Sequence, residues 1–287
     1  MTPLDVAPSG AEPRAHPHKP EMTTRLLSAV IMAALALGSV LVSVWTLVAL
    51  VIAAGVTVSW EWGRLIRKEA GFDEIAVLQS ATVAVVAVAV ALYRPGLALI
   101  AAAVALAGTG FLGFSSATLG WSLLGIAYSV LPPWSLVWLR SDLTLGATAL
   151  LYLLVVVWTT DTASYAGGRL IGGPKLAPRI SPQKTWSGLL AGILTPALVG
   201  YGFALFLKDT SAWRLVLVSV VIAAACQVGD LSESAVKRRF GTKDMSNLIP
   251  GHGGLLDRID GLLIAAIAAA LIALRDPANP GRGLLIW

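Results

Sequence analysis

From residue 26 onward the chain alternates long apolar runs with short polar stretches. Runs of about twenty apolar residues are long enough to cross the hydrocarbon core of a bilayer as helices. The pattern predicts nine such spans, near 26–43, 44–62, 75–92, 96–114, 119–138, 143–160, 188–207, 213–230 and 258–275. No charge separates the first two, and reading them as one would reverse every later loop. Ahead of them, residues 1–25, rich in Pro, Ala and His and without periodicity, predict a disordered cytoplasmic tail. His16 and His18 in it read as solvated rather than as metal ligands. The run after Arg25 is too long for the apolar segment of a signal peptide. The expected organisation is thus a tail, a helical N-terminal part over 26–160, and a C-terminal catalytic region over 161–287 with two polar loops.

Composition agrees. The chain is 56% hydrophobic and 13% charged, with a mean hydropathy of +0.78, which excludes a water-soluble domain. The net charge of +5 fits a membrane carrying anionic lipid. Nucleic acid is excluded as a partner because the basic residues sit in short loops between apolar spans. With nine spans and an inner N-terminus, fifteen of the 21 Lys and Arg residues fall on the inner side, including both motif-rich loops. The single cysteine, Cys226, lies in an apolar run and reads as a small buried residue.

The polar residues concentrate in 234–260, S-A-V-K-R-R-F-G-T-K-D-M-S-N-L-I-P-G-H-G-G-L-L-D-R-I-D. Asp230, Glu233, Ser234, Lys237 and Arg238 fall on one face of a helix. Asp257 and Asp260 share a face if a helix starts near Leu255. Between them, Pro250, Gly251, Gly253 and Gly254 predict a turn with bare backbone N–H groups, and such a turn at a helix N-terminus favours anions. Carboxylates nearby suit Mg²⁺ and phosphate-bearing partners. The combination reads as a site for a metal-bound nucleotide polyphosphate. Two upstream stretches join it. Asp161 shares a helical face with Ser164, Tyr165, Gly168 and Arg169, where it would either serve the site or pair with Arg169. Ser181-Pro-Gln-Lys184-Thr185 is expected to open the next helix, placing Lys184 and Thr185 where phosphate would bind. Gly188 and Gly192, like Gly108, Gly110 and Gly113, predict close helix packing.

The run over 234–260 resembles the signature of bacterial CDP-diglyceride synthases, also called phosphatidate cytidylyltransferases. The resemblance extends through D-T-A-S-Y-A-G-G-R (161–169) and S-P-Q-K-T-W-S-G (181–188), and weakens upstream to the hydropathy pattern plus W-E-W (60–62). It implies an all-α polytopic enzyme of the bacterial inner membrane, with its active site facing the cytoplasm. It implies CTP and phosphatidate as substrates, with CDP-diacylglycerol and pyrophosphate as products. Asp230, Asp257 and Asp260 would then be catalytic and bind Mg²⁺, with a second cation as an option, and Lys237 would join the catalytic residues by holding substrate phosphate. Asp161, Lys184, Thr185, Ser234, Arg238, Lys243, His252, Gly253, Gly254 and Arg258 would bind substrate. Membrane lipids surround the protein, and a homodimer is one assembly open to it. The upstream loop departs from the family's usual S-P-K-K-T-x-E-G at Gln183 and Ser187, a lost base and a lost acid that cancel in charge. A CTP-dependent lipid or prenol kinase is the rival enzyme, and a transporter the rival of another class.

Overall fold

The computed structural model describes residues 22–68, 70–113, 117–250 and 253–287, and these are almost wholly helical. In chain order come α1 (Met22–Val42), α2 (Val44–Arg67), α3 (Glu74–Ala91), α4 (Pro95–Leu112), α5 (Leu119–Arg140) and α6 (Gly146–Leu170). A small hairpin of β1 (Lys175–Ala177) and β2 (Ser181–Thr185) follows, then α7 (Trp186–Leu194), α8 (Pro196–Phe206), α9 (Ala212–Arg239), α10 (Leu256–Ala273) and α11 (Pro280–Leu285). Among the described residues, eight stretches are long and apolar enough to cross a membrane, with α7 and α8 together forming one of them. The chain is therefore a multi-pass, all-α membrane protein. The ninth expected span is α10, which lies outside those eight. It has 18 residues, and Asp257, Arg258 and Asp260 stand at its start.

The first apolar stretch divides into two helices, as expected. Ser43 leaves helical geometry (φ −163°, ψ 166°), and its side chain accepts from Thr46 N at 3.1 Å. Thr46 Oγ1 in return accepts from Ser43 N at 3.0 Å, so an uncharged capping box starts α2. Most of the expected tail, residues 1–21, lies outside the described residues, and α1 begins at Met22, ahead of the expected 26.

One expectation is corrected. Ser181-Pro182 does not open a helix; Pro182 lies within β2, which pairs antiparallel with β1. Gly172 and Gly173, with φ of 68° and 102°, turn the chain back after α6, so residues 175–185 form a hairpin before the helix begins. A two-stranded sheet is all edge and tolerates the missing N–H of a proline. Thr185 then caps α7, its Oγ1 accepting from Gly188 N at 3.1 Å.

The core gathers around α6, where Tyr152, Leu153 and Val156 are fully buried and Tyr152 Oη shares a 2.6 Å hydrogen bond with Ser219 Oγ of α9. Small residues set the closest helix contacts, as suits a bilayer in which apolar burial alone does not drive association. A Cβ at Gly229 of α9 would stand 2.7 Å from Asp260 O of α10, and one at Gly261 would stand 2.5 Å from Cys226 Sγ. Gly188 and Gly192 pack α7 on α6 as expected: a Cβ at Gly188 would lie 2.7 Å from Ser164 O, and one at Gly192 would overlap Ser164 Oγ. Cys226 is buried, also as expected.

Candidate active site

Two helices run past their expected ends. α6 continues to Leu170 and α9 to Arg239, so Asp161 and the Asp230–Lys237 face are held on continuous rods. Together with β2 and the first turn of α10 they enclose a cavity of about 590 Å³. Eight of the expected residues line it: Asp161, Lys184, Thr185, Asp230, Lys237, Asp257, Arg258 and Asp260. Glu233, expected on the same helical face but given no role of its own, lines it as well, and so does Gln227, which the sequence did not single out. Their signal is helical spacing, since Gln227, Asp230, Glu233 and Lys237 follow one another at three or four residues. Gln227 Nε2 donates to Ser164 Oγ at 2.6 Å and so joins α9 to α6.

Ion pairs cross the cavity wall. Lys184 Nζ lies 2.6 Å from Asp230 Oδ2. Lys237 Nζ bridges Glu233 Oε2 at 2.6 Å and Asp257 Oδ1 at 2.7 Å, with its side chain only 12% exposed. The expected role of Lys237 toward substrate is thus joined by a second one, tying α9 to α10. Asp161 does not pair with Arg169, which donates to Tyr165 Oη at 2.6 Å.

Other expected residues take different places. The bare N–H groups foreseen around Gly253 and Gly254 are used inside the protein. Gly253, at φ +88°, exchanges both backbone hydrogen bonds with Ile249, and Gly254 N donates to Asp257 Oδ2 at 2.8 Å. Met245 N donates to the same oxygen at 2.9 Å. Folding the loop back on α10 thus spends these donors on the Ile249 carbonyl and on the Asp257 carboxylate. Ser234, Arg238 and Lys243 do not line the cavity. Arg238 donates to Ile180 O (3.2 Å) and Thr242 O (3.1 Å), while Lys243 is exposed in the loop after α9. Thr185 lines the cavity but spends its hydroxyl on the α7 cap and on Ser187 Oγ at 2.9 Å. Ser187 Oγ also bonds Gly172 O, away from the cavity. His252 lies outside the described residues.

The cavity is lined by six carboxylates (Asp161, Asp230, Glu233, Asp244, Asp257 and Asp260) and four basic side chains (Arg169, Lys184, Lys237 and Arg258). It is therefore acidic on balance and would repel a triphosphate unless a cation came with it. Asp161, Asp230 and Asp260 stand near enough for their charges to interact. Among the described residues no three acids, histidines or cysteines are gathered closely enough to hold a metal ion alone. Mg²⁺ commonly takes one or two carboxylates, completing its shell with water and substrate phosphate. The donor set fits that arrangement. Of the three aspartates expected as ligands, Asp257 has both oxygens engaged by Lys237, Met245 and Gly254.

Comparison with known proteins places the chain in a family. A phosphatidate cytidylyltransferase of Brucella suis biovar 1 (strain 1330) is 46% identical over 147 residues, covering 51% of this chain and 54% of that protein. One from Haemophilus influenzae is 42% identical over 125 residues, covering 42% and 43%. One from Staphylococcus haemolyticus is 43% identical over 125 residues, covering 43% and 47%. The chain spans about half the length of the curated relatives it matches. A family model for cytidylyltransferases matches residues 23–274, which takes in every helix that lines the cavity, and the chain belongs to the cytidylyltransferase family.

Proposed function

We propose that this protein transfers CMP from CTP to phosphatidate, giving CDP-diacylglycerol and pyrophosphate, at the cytoplasmic face of a bacterial inner membrane. The observation that carries the reading is the cavity itself, where Asp161, Lys184, Asp230, Asp257 and Asp260 converge from α6, β2, α9 and α10. A phosphatidate oxygen forms the new bond to the α-phosphorus of CTP, and the bond from that phosphorus to the bridging oxygen breaks as pyrophosphate leaves. Asp230 and Asp260, with Asp161 beside them, would hold a divalent cation such as Mg²⁺. That cation, when bound, offsets the charge of the triphosphate and of the leaving pyrophosphate. Lys184 stands at the same place through Asp230 and supplies a positive charge to phosphate oxygens. Arg258 and Arg169 line the cavity and add two more. Phosphatidate brings its own nucleophile, so orientation and electrostatics suffice without a covalent enzyme intermediate.

Purified protein with CTP, phosphatidate and Mg²⁺ tests this. Pyrophosphate release that requires the lipid and the divalent cation together is the expected result. Release of CDP would identify a kinase instead, and turnover independent of lipid would remove phosphatidate from the reaction.

A further inference from the structure

Glu61, the middle residue of W-E-W in α2, is fully buried, with 0% of its surface exposed. Such a carboxylate is ordinarily neutralised by Lys or Arg, but the hydrogen bonds that hold Glu61 come from elsewhere. Its Oε1 accepts from Ser246 Oγ at 2.6 Å and from Leu255 N at 2.9 Å, and its Oε2 accepts from Leu256 N at 2.7 Å. All three donors belong to the loop that enters α10 and to that helix's first residue, some 185 to 195 positions away in the chain. α10 has no side-chain cap of its own, because its N-cap residue is Leu255. A helix start with orphan N–H groups favours a negative charge.

We infer that Glu61 is the positioning residue of the reaction proposed above: a cap supplied from α2 that fixes the start of α10 and so aims Asp257 and Asp260 into the cavity. The two carboxylates divide the loop between them. Asp257 Oδ2 takes the N–H groups of Met245 and Gly254, and Glu61 takes those of Leu255 and Leu256. Asp257 and Asp260 follow within four residues of that cap, so any shift of the first turn moves both. The fit is close, since a Cβ at Gly254 would lie 2.6 Å from Glu61 Oε1. The neighbours of Glu61 anchor it. Trp62 Nε1 donates to Trp121 O at 3.0 Å, and the Trp62 ring packs at 5.3 Å from that of Tyr128. Glu61 does not line the cavity, so it acts through α10 rather than on substrate.

The test compares wild type with Glu61→Gln and Glu61→Asp by turnover, melting temperature and amide hydrogen exchange. Gln keeps the shape but sets an NH₂ against one of the two N–H groups, whereas Asp keeps the charge and withdraws it by one methylene. For Glu61→Gln, exchange at Leu255 and Leu256 should rise by about tenfold or more, as a lost buried hydrogen bond requires. Its kcat should fall by about tenfold or more while the KM for CTP moves less than about threefold. Glu61→Asp should recover part of kcat. A role in stability alone would instead lower the melting temperature and leave kcat per folded molecule unchanged, and that result overturns the inference. Unchanged exchange at 255 and 256 overturns it too. A wild type inactive on CTP and phosphatidate would defeat the proposed reaction and leave the clamp to be decided by exchange, raised supporting it and unchanged refuting it.

Discussion

At Asp257 one carboxylate joins three segments: α9 through Lys237 Nζ, the loop through Met245 N, and the glycine turn through Gly254 N. Its side chain is 4% exposed. Losing one partner of a buried pair costs up to about 3–5 kcal/mol. The cost is less here because Glu233 still faces Lys237, although the donors of Met245 and Gly254 also lose a charged acceptor. Asp257→Asn should therefore lower kcat by about a hundredfold without rescue by added Mg²⁺, since the defect lies in the start of α10. Asp260→Asn should instead raise the half-saturating Mg²⁺ concentration by about tenfold, as loss of a carboxylate ligand would. Titrating both variants with Mg²⁺ separates the roles, and a large shift for Asp257→Asn would return it to the ligand set. Ser187 supplies a contrasting case. Its hydroxyl bonds Gly172 O and Thr185 Oγ1, and Ser187 itself does not line the cavity, so we propose that the acid the related pattern carries at this position is not at the reacting centre. Ser187→Glu should change kcat/KM by less than about tenfold, roughly 1.4 kcal/mol, and a far larger gain would place a catalytic carboxylate there. Residues such as Asp161, Lys184 and Asp230 were legible from the chain because acids and bases gathered within a few stretches at the ends of apolar spans, where acids are costly and a lone base would pass for an anchor. Glu61 was not, because its partners lie nearly 200 residues away and no local spacing predicts them.

At the scale of elements, hydropathy located the helices but not where polar residues extend them. α6 and α9 run beyond the apolar stretch because lipid does not limit a helix that leaves the bilayer and still packs on its neighbours. The β1–β2 hairpin was hidden because Pro182 beside an apolar run suggests a helix start as well as a strand edge. The α1–α2 break did have a signal, the capping pair Ser43 and Thr46, which carries no charge. Where helices touch through glycine, the spacing of the site depends on them. A methyl at Gly229 would stand 2.7 Å from Asp260 O, so Gly229→Ala must push α9 from α10 at the level of Asp230 and Asp260. Overpacking of this kind costs about 1–3 kcal/mol, and the variant should lose both thermal stability and Mg²⁺ affinity; unchanged values for both would show that the helices yield without moving the acids. The α5–α6 connection gives a pH test. Burial alone would raise the Asp142 carboxyl, but hydrogen bonds from Leu145 N, Thr144 and Arg282 N hold it below its ordinary range. The folded value is thus below the unfolded one of about 3.9. The stability it contributes is complete above that value and is lost as pH falls through the folded one. Asp142→Asn should be less stable than wild type near neutrality, with the gap closing as the pH falls below about 4; a gap independent of pH would show that charge is not what Asp142 supplies.

Across the whole molecule the two ends of the bundle differ in chemistry, and this bears on how many times the chain crosses. One end holds the Lys184–Asp230 and Lys237–Asp257 pairs together with the Glu61 clamp on the start of α10. The other end holds the α5–α6 and α8–α9 connections, and the C-terminal segment is bonded to both. Asp142 Oδ2 accepts from Arg282 N at 3.0 Å, and Thr210 Oγ1 donates to Leu285 O at 2.6 Å. α10 must run from the first end to the second, and 18 residues at about 1.5 Å each give about 27 Å, close to the hydrocarbon thickness. It is set apart from the eight apolar stretches by the three charges at its start, all of which line the cavity. We therefore propose nine crossings, eight by the apolar stretches and one by α10, with the polar site at the inner end as the bias of basic residues suggests. Single cysteines at Lys243, Lys208 and Ala278, all exposed, in a Cys226→Ala background would report this through an impermeant thiol reagent. Lys208→Cys and Ala278→Cys should label from outside intact cells, and Lys243→Cys only after the membrane is opened. Labelling of the Ala278 position together with Lys243 would mean that α10 turns back within the bundle, leaving eight crossings. Labelling of Lys243 from outside would put the cavity on the side of the membrane where CTP is absent, and the proposed reaction would fall with it.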